Sequence, residues 1–128
     1  MQTSTFTQSS PIQPVRMILQ AEGALLGLVC TMIYAQTGAG WLLFALLLLG
    51  PDLAMLGYLA GDRIGALCYN IGHTYLTPAA LAALGYATGV DGSLPIALIW
   101  GAHIGFDRAI GYGLKYASGF KVTHLARV

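Results

Sequence analysis

His103 and Asp107 stand four residues apart, so on a helix an imidazole and a carboxylate share one face. Asn70, His73 and Thr77, at i, i+3 and i+7, line one face in the same way. Two further carboxylates, Glu22 and Asp52, interrupt otherwise apolar stretches. Together, Glu22, Asp52, His73, His103 and Asp107 offer oxygen and imidazole ligands, a set suited to iron, manganese or zinc. Soluble dimetal bundles use four carboxylates with Glu-x-x-His pairs on facing helices. Here the carboxylates are three and the pair is His-x-x-x-Asp. The pattern therefore reads as a single metal held by His73, His103 and Asp107, with Glu22 or Asp52 completing or orienting it. If a position stays open, such an ion activates water or oxygen.

Other readings of the same residues stand beside this one. Arg108 can neutralise Asp52 or Glu22, and the histidines can be neutral hydrogen-bond partners of Asn70 or Thr74, with Thr77 nearby. The polar cluster is then structural, and the chain is an accessory or assembly subunit of a larger membrane complex. Asp, Glu and His in series also relay protons, which in so short a chain calls for a homo-oligomer. A lone His73 or His103 could be the axial ligand of a haem or chlorophyll.

The elements that must position these residues are membrane helices. Of 128 residues, 56% are hydrophobic and 9% charged, against about 25% charged in soluble domains; the mean hydropathy is +0.68. Four apolar segments, about 15–36, 41–60, 63–88 and 94–116, are separated by glycine-rich breaks. Each matches the roughly 20 residues that a spanning helix needs, and none alternates as a barrel strand does. The fold expected is all-α, an integral membrane four-helix bundle running up-down-up-down. Arg16, Arg63, Lys115, Lys121 and Arg127 all fall on one side, which the positive-inside rule makes cytoplasmic. Both termini are expected there, in the inner membrane. Trp41 and Tyr86 suit an aromatic belt on the opposite side.

Counting about 1.5 Å per residue from the cytoplasmic ends puts Glu22 near ~10 Å, Asp52 near ~12 Å and Asn70 and His73 near ~10–15 Å. Asp107 falls near ~14 Å and His103 near ~20 Å. All four spans thus bring ionisable groups to one layer of the cytoplasmic half. A charge facing lipid costs at least ~2.5 kcal/mol, so these groups are expected to face inward. The patterns "GALLG" (23–27) and "GAHIG" (101–105) allow close helix packing, and Pro51 and Pro78 should each free a backbone carbonyl near the layer.

The remaining features point away from other functions. There is no Gly-x-Ser-x-Gly, phosphate loop or dinucleotide fingerprint, and a net charge of +1 without a basic stripe gives no sign of nucleic acid. Cys30 and Cys68 read as separate buried thiols. Residues 1–14 form a polar arm without charge up to the first span, unlike a cleaved signal. Residues 117–128 read as a short basic cytoplasmic tail. In it His124 is solvated or at the lipid headgroups; Tyr112 and Tyr116 are interfacial anchors, and Asp62 pairs with Arg63 at a loop.

The stretches "AEG", "PDLAMLGYLAG", "RIGALCYNIGHTY", "AHIGFDRAIGYGLKY" and "GFKVTHLAR" occur in this order. Over about residues 17–127 they resemble a family of small bacterial integral membrane proteins, a domain of unknown function. The resemblance implies a four-helix membrane domain of this size and carries no activity, substrate or cofactor. The arm, 1–14, looks like an addition to the family pattern.

Overall fold

The computed structural model describes residues 14–127. The polar arm lies outside them except for Pro14. The described chain is all-α, with α1 (Pro14–Gln36), α2 (Trp41–Leu47), a 3₁₀ segment (Gly50–Ala60), α3 (Asp62–His73), α4 (Leu76–Thr88), α5 (Ser93–Ile110) and a final 3₁₀ turn (Leu125–Arg127). Two apolar helical stretches, Pro14–Gln36 and Trp41–Ala60, are long and apolar enough to cross a membrane. Leu76–Thr88 is apolar but shorter.

α5 is the axis of the molecule, buried from Ala97 to Gly105 except for half-buried Trp100. It packs most extensively on α1 and next on α4. The α1–α5 seam is made of glycine. A Cβ on Gly105 would lie 2.5 Å from the Gly27 nitrogen and 2.6 Å from the Gly23 carbonyl, so the two backbones nearly touch. The two small-xxx-small patterns meet each other. Further along, Tyr34 packs with Leu98 and Ile99, its ring meets Trp41 and Phe44, and its hydroxyl donates to the Gly40 carbonyl (2.6 Å).

The second stretch is α-helical only at first. From Gly50 it tightens into a 3₁₀ helix of 11 residues, far beyond the usual three or four. Three residues per turn line up Pro51, Ala54 and Gly57 on one side, and that small-residue stripe faces α3. Gly57 sits against Cys68, and Gly72 against Ala54 and the Pro51 carbonyl.

The stretch read as one span over 63–88 is two helices, interrupted at Thr74, which is extended (φ −94°, ψ 141°). Pro78, two residues into α4, cannot donate to the Thr74 carbonyl. The break leaves three carbonyls of α3 to side chains: Thr77 Oγ1 donates to Ile71, Trp100 Nε1 to Gly72 (2.6 Å) and Arg108 Nη2 to His73 (3.2 Å). Each of these freed acceptors has a donor, as buried backbone requires.

α5 stops at Ile110, six residues before the expected end at 116, because Gly111 takes a left-handed conformation (φ 102°). The Tyr112 amide then donates back to the Asp107 carbonyl (2.8 Å), a Schellman-type ending. The chain beyond Tyr112 is no free tail. Residues 114–124 form a hairpin, closed by Tyr116 N–H to Val122 O (2.8 Å) and His124 N–H to Leu114 O (3.0 Å), and Leu125 is fully buried beneath it.

Candidate metal centre

Asp52 enters the site from the first turn of the 3₁₀ segment, His73 from the last turn of α3, and His103 and Asp107 from successive turns of α5. Their ligand atoms converge within 4.8 Å of one another. His73 Nε2 lies 3.2 Å from Asp52 Oδ1 and 3.5 Å from Asp107 Oδ2. His103 Nε2 lies 3.3 Å from Asp52 Oδ1 and 3.2 Å from Asp107 Oδ2, and the two Nε2 atoms are 3.1 Å apart. Four tetrahedral ligands at about 2.0 Å from a zinc-like ion stand about 3.3 Å from each other. These five separations cluster around that edge length.

Neighbouring groups aim the imidazoles at the centre. His73 Nδ1–H donates to the Tyr69 carbonyl (2.9 Å), which leaves Nε2 with its lone pair, and the ring stacks on Tyr69 with centroids 3.8 Å apart. The His103 ring has the Leu48 backbone as its polar neighbour. That carbonyl is free because Pro51 has no N–H and the Asp52 N–H is spent on Leu49 (3.1 Å). Both histidines are buried, whereas the carboxylates of Asp107 and Asp52 are 19% and 40% exposed. The centre is sealed on its imidazole side and open on its carboxylate side. There a cavity of about 310 Å³ begins, lined by both aspartates, Tyr69 and Lys115 among others.

Of the five candidate ligands, the structure brings four together. Glu22 is exposed on α1, next to the Gly23 and Gly27 face that meets α5, and lies outside the cluster. The expected supporting residues hold the frame instead of the ligands. Asn70 exchanges two hydrogen bonds with the Lys115 backbone, Nδ2 to O and N–H to Oδ1, both 2.7 Å, and so pins the hairpin to α3. Thr74 Oγ1 accepts from the Leu76 amide at the start of α4 (3.4 Å), and Thr77 holds the broken end of α3. Arg108 lies within ion-pair reach of neither Asp52 nor Glu22. Nη2 donates to the His73 carbonyl while Nη1 lies 2.9 Å from His124 Nε2.

His124 is half-buried, with its Nδ1 accepting from the Leu114 amide (2.8 Å). Burial, and then the Arg108 charge beside it, hold this imidazole below its ordinary pKa. Reading the chain for ligands passes over Tyr69, Trp100 and Lys115. Trp100, three residues before His103, carried the one usable signal: an indole N–H inside an apolar helix needs an acceptor.

With this geometry in place, comparison with known families is decisive on one point. The family model described as Domain of unknown function (DUF4260) matches residues 16–128. The chain belongs to that family. All four converging residues lie within the match, and residues 1–15 precede it. No protein of curated function and no solved structure matches the chain.

Proposed function

We propose that this DUF4260 chain is a four-span protein of a bacterial inner membrane that binds one divalent transition-metal ion between Asp52, His73, His103 and Asp107. The observation that carries the reading is the set of five separations of 3.1–3.5 Å among two imidazole nitrogens and two carboxylate oxygens. Two histidines, one of them already fixed by a backbone carbonyl, two carboxylates and tetrahedral edges suit zinc, with iron or manganese as alternatives. α1, the Trp41–Ala60 stretch, the broken α3–α4 pair and α5 serve as the four spans of an up-down-up-down bundle, both termini cytoplasmic. Leu59, 87% exposed, and Leu76, 78% exposed, are typical of the outward apolar surface that lipid would cover. Metal analysis of detergent-purified protein tests the site. The expectation is one ion per chain, lost in His103→Ala and in Asp107→Ala; a stable wild type without metal overturns it.

A second reading, as a subunit of a larger assembly or a homo-oligomer, draws on Glu22. An exposed carboxylate on the apolar 23-residue α1 is costly against lipid and calls for a partner group. A cysteine at position 22 that cross-links in native membranes supports this reading. Monomer alone on native gels, with no cross-link, opposes it.

A further inference from the structure

The cavity beside the four ligands has a second charged wall. Lys115 is only 6% exposed, and its ammonium donates to the Phe120 carbonyl (2.7 Å). It lies 3.5 Å from the centre of the Phe120 ring and 4.6 Å from that of Tyr69. Among the described residues, no carboxylate stands within the 4.0 Å of an ion pair with it. Two of its three N–H groups therefore meet aromatic faces or the cavity and no oxygen. Asp52 and Asp107 face Lys115 across the same space, and Met55, Tyr69 and Phe120 give it apolar surface. At about 310 Å³ the cavity is of ligand size, at the lower end of the roughly 300–1,000 Å³ usual for such sites.

Charge decides what it would take. A divalent ion between the four ligands is balanced by the two aspartates, and the Lys115 charge is then left over. We propose that the cavity binds a monoanionic carboxylate between Lys115 and the metal, its apolar body against Met55 and Phe120. The proposal rests on the metal reading of the centre. A four-coordinate zinc-type ion accepts a fifth ligand, and the exposed carboxylate side is where one can approach.

The test uses the purified full-length protein loaded with cobalt(II), whose visible bands are strong in tetrahedral sites and weaken on five-coordination. Acetate in solution and oleate in mixed micelles are the probes, which separates a free carboxylate from a lipid-borne one. Weakening of the bands by either probe is the expected result. In Lys115→Gln the half-effect concentration should rise at least tenfold with the anion-free spectrum unchanged. Equal responses of the variant and wild type overturn the part given to Lys115. Cobalt bands indifferent to both probes overturn the carboxylate site and leave the metal reading standing; no cobalt bands overturn both. The wild-type titration decides without any variant.

Discussion

His73 and His103 meet Nε2 to Nε2 at 3.1 Å, with a carboxylate oxygen within 3.5 Å on either side. Because His73 has already given its Nδ1 proton to the Tyr69 carbonyl, a bare nitrogen faces this centre. Lone pairs gathered this closely need a cation between them, whether a metal ion or a shared proton. The Tyr69 carbonyl behind His73 favours the metal, because it holds that imidazole with a bare Nε2 forward.

Pro51 is expected to matter to metal affinity without touching the metal. In Pro51→Ala a restored N–H competes for the carbonyls of the preceding turn, and the Leu48 carbonyl behind His103 is drawn back into the helix. Changes to such outer partners weaken metal binding by about 10–100-fold. Competition with a chromophoric chelator measures it, and unchanged affinity counts against the role given to Leu48.

The α1–α5 seam should reject a single methyl group. Gly105→Ala places a carbon against the backbone of Gly23 and Gly27, where no rotamer can yield. Such overpacking costs about 1–3 kcal/mol. Gly119→Ala, whose nearest neighbour would be Val122 Cγ2 at 3.6 Å, is the matched control and should be near neutral. Thermal unfolding in detergent compares the two.

Trp100→Phe keeps an aromatic ring, though a smaller one, and removes the donor to the Gly72 carbonyl. An orphaned buried carbonyl costs about 1–3 kcal/mol. The same melts should show the loss, with the metal ligands untouched. A variant as stable as wild type would mean that water reaches the broken end of α3.

Docking of the C-terminal hairpin should weaken in acid. His124 has its folded pKa lowered, so below the ordinary value near ~6.5 the undocked segment binds more protons than the docked one. Its contribution is therefore intact above about pH 6.5, declines as pH falls and is fully lost below the folded value. Protonation would put an N–H on Nδ1 against the Leu114 amide and a positive charge beside Arg108. Limited proteolysis at Lys121 and Arg127 across pH 5–8 reports this, and His124→Gln should flatten the profile.

The helical class, the His103–Asp107 pairing and the glycine seam were all legible in the chain, because each depends on spacing along one helix. What was not legible depended on rotation or on distant partners. A depth count sets the height of Glu22 but not its direction, and the structure leaves it exposed and outside the cluster. The apolar run through Thr74 hides the helix break, since the donors that make the break tolerable, Trp100 and Arg108, come from α5. Lys115 looked like a topological anchor because its burial depends on a hairpin closed by residues still to come. The change to 3₁₀ geometry at Gly50 had a trace, the three-residue stripe Pro51–Ala54–Gly57, easily lost in an apolar sequence.

The reciprocal amide pairing of Asn70 with Lys115 sets an order of assembly. α3 is synthesised well before residue 115, so during translation Asn70 has no backbone to pair with. The Arg108–His124 contact must wait longer still, for nearly the last residue of the chain. The wall of the cavity that carries Lys115 and Phe120 is thus completed only after α3 and α5 have been made. The hairpin is the last element to dock, a late lock on α3 and α5 whose timing is written in chain order.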